Sequence, residues 1–320
     1  MKKIYLVNYP CMPIEHLLTS WELNERSKPF VELTRGIIAS GLFCIICDSG
    51  WNGAGIEDEA AIILLNSDLN DELLYNLSKI PRNRCFLVIL EPPNMGRFVP
   101  HYDPWLKKIF GTIFTMFDEM VDNETYLKLY HWQARSAVVP ETISFYQKKF
   151  CTMIQMNRSS DHPDTLFNER KVIAGYFGKD PEFDLFGPDW VGYKAWRGGL
   201  PTDKLDTLKH YKFAISYENT RNQPGFITER IFEAFYAKCV PIYWGTPDIE
   251  KYVPQEAFIN RMNFSSNETL YAFLKEMDEK TYESYIQAGQ EYLQTPYVKE
   301  HYSLDSFAKS ILKAVRERAG

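Results

Sequence analysis

Several things are missing from this sequence, and each absence narrows what the chain can be. No apolar run reaches the roughly 18–20 residues that a bilayer-crossing helix needs. Basic residues are not in excess: 36 Lys and Arg stand against 42 Asp and Glu, for a formal net charge of −6. That argues against a general nucleic-acid binder, which needs a basic face, but leaves room for a site built from a few local cations. The 6 cysteines include one CxxC pair, Cys44 and Cys47, with no second pair to complete a zinc set. They read as reduced core thiols. His16, His101, His131, His162, His210 and His301 show no HExxH spacing. GxSxG, a Walker lysine, GxGxxG and a DxD pair after an apolar strand are also absent, so no metal site is expected. There is no internal repeat and no low-complexity tract.

What is present is a globular chain of 320 residues, 45% hydrophobic and 15% aromatic, long enough for two cores. Short β-rich apolar runs alternate with helical patterns, the signature of parallel α/β layers. The first series of strands reads as Lys3–Tyr9, Leu42–Asp48, Ala60–Asn66, Cys85–Glu91 and Thr112–Phe117, with helices over Pro29–Ser40 and Asn70–Lys79. The opening MKKIYLVNYPCMPIEH is read as the first strand and not a secretory signal, because its apolar stretch is short and lacks a small-residue cleavage site. A second series follows, with strands at Cys151–Met156, Phe183–Phe186, Phe213–Tyr217, Val240–Trp244 and Phe258–Met262. Its helices are Leu166–Phe177, Thr202–His210, Thr228–Lys238 and Asn267–Met277. The expected class is α/β, with two Rossmann-like domains facing across a cleft, over residues 1–145 and 146–302. Residues 303–320 form a closing helix, since Phe307, Ile311, Leu312 and Val315 make a 3.6-period stripe.

The most informative stretch is KFAISYENTRNQPGFITERIFEAFYAKCVPIYWG, residues 212–245. A strand ends in the polar Tyr217-Glu218-Asn219, and ligands of open α/β sheets bind at that carboxyl edge. A Gly- and Pro-containing loop follows, and Thr228 is placed to cap the next helix. A helix N-terminus there offers amide hydrogens and partial positive charge to an anion. Arg230 in the first turn opposes the helix dipole by about 0.3–1 kcal/mol, which a bound diphosphate would offset. The residues alone also allow Arg230 to point into solvent, and Glu229 to be an ordinary first-turn acid. GWNGAG at Gly50–Gly55 reads as a loop.

Here a resemblance becomes specific. YEN…GFITERIFEAFYAKCVPIYWG followed by PQEAFIN resembles the nucleotide-sugar signature of the alpha-1,3-fucosyltransferases, glycosyltransferase family 10. The family form is FEN…GY(V/I)TEK, a helix, a VP(I/V)(Y/V)WG strand and P..SF(I/V). Weaker similarity runs upstream through DLFGPDW and YKAWRGGLPTDKLDTLKHYKF, while the first half resembles the family only faintly. The resemblance implies a GT-B arrangement with GDP-fucose held mainly by the C-terminal domain and no cofactor required. It places Glu229 on the family glutamate that bonds the ribose. Arg230 falls on the phosphate-contacting lysine, and Phe226 on a tyrosine that contacts the donor. Arg for Lys changes a point contact into a planar fork, and Phe for Tyr removes a hydroxyl. In LFNERKVIAGYF, Leu166–Phe177, Arg170 falls on the arginine that reaches the diphosphate. Glu218 and Asn219 shape the site beside them.

In CFLVILEPPNM, Cys85–Met95, a buried strand ends in Glu91 before two prolines, a context like that of the family's general base. Apolar neighbours would raise its pKa toward a useful value. The expected reaction is inverting transfer of fucose to a hydroxyl of a glycan, such as a GlcNAc-type or lipopolysaccharide sugar. A different nucleotide-sugar donor, or a catalytically silent carbohydrate-binding protein, stays open. The partners expected are donor and glycan acceptor, with no nucleic acid and no transmembrane segment. The expected location is that of a bacterial cytoplasmic enzyme, with peripheral contact at the inner membrane face as an alternative.

Overall fold

The computed structural model describes residues 2–7, 28–47, 50–57, 59–65, 69–92 and 104–319. They form two parallel sheets. The first has the strands β1 (Lys3–Val7), β2 (Phe43–Cys47), β3 (Ala61–Leu65), β4 (Cys85–Val88), β5 (Thr112–Thr115) and β6 (Tyr126–Lys128), in the order β2-β1-β3-β4-β5-β6. The second has β7 (Lys149–Ile154), β8 (Phe183–Phe186), β9 (Tyr211–Tyr217), β10 (Val240–Trp244) and β11 (Ile259–Asn260), in the order β11-β10-β9-β7-β8. Every pairing is parallel. Both orders reverse next to the first strand of their series, which is the doubly wound pattern. Ala61–Leu65 is buried along its whole length, as a central parallel strand covered on both faces must be.

The helices between the strands are α1 (Lys28–Ala39), α2 (Asp71–Leu77), α3 (Leu106–Ile109), α4 (Phe167–Phe177), α5 (Lys204–Leu208), α6 (Glu229–Tyr236), α7 (Asn267–Glu276) and α8 (Glu279–Gln294), followed by α9 (Pro296–Tyr302) and α10 (Leu304–Arg318). Several start at side-chain caps, which satisfy amides the helix itself cannot. Asn70 accepts from Leu73 N at 2.9 Å, Asp203 accepts from Leu205 N and Asp206 N, and Ser266 forms a capping box with Thr269.

The chain divides into two compact units, Met1–Ala134 with Glu300–Gly320, and Arg135–Lys299. The division therefore falls earlier than residue 145. Arg135 pairs with Asp203 at 3.1 Å, Val139 N donates to Tyr236 O at 2.9 Å, and Phe145 joins the core of the second unit. The last helix is no separate cap. Its Phe307, Ile311, Leu312 and Val315 share one core with Ile4, Leu6, Leu33 and Ile37 of the first unit. α10 lies so close to α1 that a Cβ on Gly36 would collide with Leu312. Its outer charges pair within the helix, Lys309 with Asp305 at 2.6 Å and Lys313 with Glu317 at 4.0 Å. Among the described residues no helix is long and apolar enough to cross a membrane.

Strand β6 escapes a sequence reading because three residues show no period, and the Phe258–Met262 run yields only the two-residue β11. The ends proposed at Asn8, Tyr9, Asp48 and Asn66 lie outside the described residues, as do Cys11, His16 and His101. Cys44, Cys85, Cys151 and Cys239 are free thiols. Burial pushes Cys44 up to about 11 and Cys85 and Cys239 up to about 12, so these three are not thiolates at neutral pH. The glycine loop at 50–55 turns with positive φ at Gly53 and Gly55, and Trp51 stacks on Tyr5 with ring centroids 5.3 Å apart.

Candidate functional site

The carboxyl edge of the second sheet gathers most of the residues singled out from the sequence. β9 ends at Tyr217, and Glu218 extends the ladder by one bond, its N donating to Trp244 O at 2.8 Å. The Glu218 side chain is 0% exposed. Its carboxylate accepts from Thr228 N at 2.8 Å, from Thr228 Oγ1 at 2.8 Å and from Arg230 Nη1 at 2.7 Å. Burial raises its pKa, the Arg230 guanidinium opposes that, and nearby Glu229 adds to it. Both oxygens are engaged, so Glu218 organises its neighbours and has no face left for a ligand. Gly245 makes room for it, since a Cβ there would collide with Glu218 and the Tyr243 hydroxyl.

Thr228 stands at the N-cap position of α6, but its side chain makes no capping bond. Its hydroxyl is taken up instead between Glu218 and Arg230, the latter donating from Nη1 at 2.7 Å. The Thr228 amide is likewise bound to Glu218, which removes it from the set of amides expected to face an anion. Arg230, in the first turn of α6, does not point freely into solvent. Its side chain is 20% exposed, and Nη2 donates to Asn219 Oδ1 at 3.2 Å.

Arg170 arrives at the same oxygen from the other side. It projects from the first turns of α4, is 3% exposed, and donates from Nη2 to Tyr217 O at 2.8 Å and to Asn219 Oδ1 at 3.0 Å. Its guanidinium lies 5.0 Å from the Phe167 ring centroid. Asn219 is held in turn by its backbone, whose O accepts from Leu166 N at 3.1 Å. Burial pulls the Arg170 pKa well below its usual value, and the nearby charge of Arg230 pulls it further. Two guanidiniums thus share one amide oxygen, with the carboxylate of Glu218 bonded to only one of them. Two cations held this close together could take up an anion.

Of the remaining candidates, Glu229 lies beside this group and Glu91 in the other unit. Glu229 is half-buried at the start of α6, where its charge acts on Arg170, Glu218 and Lys204. Phe226 is 1% exposed, so its ring lies in the interior. Glu91 lies in the first unit, past the end of β4 at Val88 and half-buried beside the buried Pro92. Pro93–Met95, the rest of its motif, lies outside the described residues. Sequence reasoning missed Trp244 at the end of β10, which has Arg221 at 5.7 Å and Arg261 at 5.3 Å from its ring centroid. The available signal was an arginine in each loop following β9 and β11. Among the described residues no group of three or more His, Cys, Asp or Glu could hold a metal ion.

Two doubly wound parallel α/β units are the architecture of the GT-B fold. A crystal structure of alpha1,3-fucosyltransferase aligns over 99% of this chain and 90% of its own, with TM-score 0.64 and 15% identity. The DNA-modifying beta-glucosyltransferase aligns over 98% and 99% with TM-score 0.53 and 14% identity. These likenesses establish the fold. Residues 183–314 match the model of glycosyltransferase family 10 (fucosyltransferase), C-terminal part. The relatives agree over short stretches. An alpha-(1,3)-fucosyltransferase of Helicobacter pylori is 33% identical over 73 residues, 23% of this chain and 15% of its own length. A 4-galactosyl-N-acetylglucosaminide 3-alpha-L-fucosyltransferase of Bos taurus is 36% identical over 95 residues, 28% of this chain and 26% of its own. The matches therefore span well under half the length of these relatives.

Proposed function

We propose that this chain is an inverting fucosyltransferase that moves fucose from GDP-fucose to a hydroxyl of a glycan, of GlcNAc or lipopolysaccharide type. The observation that carries the reading is the meeting of Arg170 and Arg230 on Asn219 Oδ1 at the edge of the second sheet. A crystal structure of alpha1,3-fucosyltransferase with GDP-fucose, with TM-score 0.57 to this chain and 16% identity, makes that donor the natural first candidate.

In this reading the acceptor oxygen attacks the anomeric carbon of fucose while Glu91 takes its proton. The bond from that carbon to the β-phosphate oxygen breaks, the sugar passing through oxocarbenium character, and GDP leaves with the electron pair. Arg170 and Arg230 meet the negative charge growing on the diphosphate, and their fixed positions mean they need not reorganise during the step. Glu229 bonds the ribose. Glu218, Asn219 and Thr228 hold the two guanidiniums, and Phe226 supports the loop from within. No step is assigned to a metal. The expected location is the bacterial cytoplasm, with the inner face of the membrane as the alternative.

Calorimetric titration of the purified chain with GDP, UDP, CMP and ADP tests the reading. GDP should bind most tightly, and a donor panel should then show fucose transfer. A preference for UDP would point to another nucleotide sugar. Binding of GDP with neither transfer nor donor hydrolysis would identify a silent binding protein.

A further inference from the structure

The second sheet parts at one place. β7 and β9 pair from Lys149↔Tyr211 to Thr152↔Ala214, yet β7 continues to Ile154 and β9 to Tyr217. These are the two strands between which the sheet order reverses, and ligands of doubly wound sheets bind at that parting. The Tyr217 carbonyl lies beyond the last residue paired with β7. Two side chains satisfy it, Gln155 donating from Nε2 at 2.9 Å and Arg170 from Nη2 at 2.8 Å.

Gln155 directly follows β7 and is held firmly. Its N donates to Phe186 O at 3.0 Å, and its O accepts from Trp190 Nε1 at 2.6 Å. Its side chain is buried, and Oε1 has no partner among the described residues; nor has Nε of Arg170. A neutral amide has a particular value beside a buried guanidinium. A carboxylate of the same shape would pair with Arg170 and cancel its charge, whereas an aliphatic side chain would leave Arg170 alone on the carbonyl.

We propose that Gln155 is a positioning residue: by sharing the Tyr217 carbonyl with Arg170 it fixes that guanidinium at the strand parting and leaves its charge for a diphosphate. The inference rests on the reading of Arg170 as a phosphate ligand. The phosphate-dependent part of binding is the ratio of GDP affinity to guanosine affinity, so both are titrated calorimetrically against wild type, Gln155→Glu and Gln155→Met. Gln155→Glu should weaken GDP at pH 8 by about tenfold or more while leaving guanosine unchanged, the scale of one charged hydrogen bond. The loss should shrink as pH falls, because the protonated carboxyl is again neutral and again donates to Tyr217 O. Gln155→Met, close in volume, should lose about two- to fivefold for GDP only, the scale of one neutral hydrogen bond. An unchanged ratio in both variants, or a loss shared equally by guanosine, overturns the assignment. If Gln155→Glu does not fold, Gln155→Met decides alone. A wild-type chain that binds GDP no better than guanosine would overturn the phosphate reading itself, and Gln155 with it.

Discussion

The strongest perturbation available at the site is removal of Arg230, because it strips the nearest cation from a carboxylate with no exposure. Glu218 keeps its two bonds to Thr228 in Arg230→Ala but loses the 2.7 Å contact to Nη1. Breaking one partner of a buried ion pair costs about 3–5 kcal/mol, and Arg230 is one-fifth exposed, so the lower end of that range is expected. The pH dependence follows from the sign of the shift. The folded pKa of Glu218 is already raised by burial, with Arg230 as the chief opposing influence. Removing Arg230 raises it further, so the variant's folded state holds a proton that its unfolded state gives up. The stability due to this group is then fully present below the ordinary carboxyl pKa of about 4.3 and is lost as pH rises through the higher folded value. Urea unfolding of Arg230→Ala should therefore show stability falling from pH 5 to pH 8 more steeply than in wild type. Adding Glu218→Gln removes the stranded charge, and the double variant should recover about 1–3 kcal/mol at pH 8 relative to the sum of the singles. Strict additivity, with no difference in pH slope, would refute the claim that these two side chains form one buried unit.

Two further outcomes follow from other parts of the molecule. Glu91→Gln should abolish transfer while leaving the dissociation constant for GDP nearly unchanged; full activity in a radiolabelled-donor assay would remove Glu91 as the base. Asp122 accepts from the amides of Glu124, Thr125 and Tyr126 at 2.9, 2.8 and 2.7 Å. Slight burial acts to raise its pKa, but Lys107 and those amides outweigh it and hold the carboxyl near about 2. Its contribution is thus present above the ordinary value and lost as pH falls toward 2. Since the side chain is about a third exposed, Asp122→Asn should cost about 1–2 kcal/mol at pH 7 and less at pH 2.5, read by thermal melts.

The architecture was open to a sequence reading because its signal is local. A strand buried on both faces must be apolar along its length, and Ala61–Leu65 and Val240–Trp244 are so. A short polar side chain before an apolar stripe is the local signal of a helix start, and Ser266 and Ser303, which the sequence reading did not single out, both cap their helices. The position of the chain's last helix was not legible. An apolar stripe states that a face is covered but not by what, and the partner of Leu312 is Gly36 in α1, far away in sequence.

At the site, the same limit separates the residues found from the roles they take. Asn219 and Arg230 could be singled out because polar residues at a strand end or in a first helical turn are locally conspicuous, whereas Arg170 was reached only through the resemblance to the fucosyltransferase family. That Glu218 is the hub could not be read from sequence, since its role depends on burial and on which donors converge on it. Thr228 shows the difference most sharply. By local rules it caps α6, yet its hydroxyl lies between a carboxylate and a guanidinium, and a bond to a buried charge outweighs one to a helix amide. The cap is forgone because Glu218 needs donors more than the helix needs an acceptor. A carboxylate sealed from water must draw every nearby donor toward itself. It thereby fixes Arg230 beside Asn219, where the second guanidinium, held by the Tyr217 carbonyl, already lies.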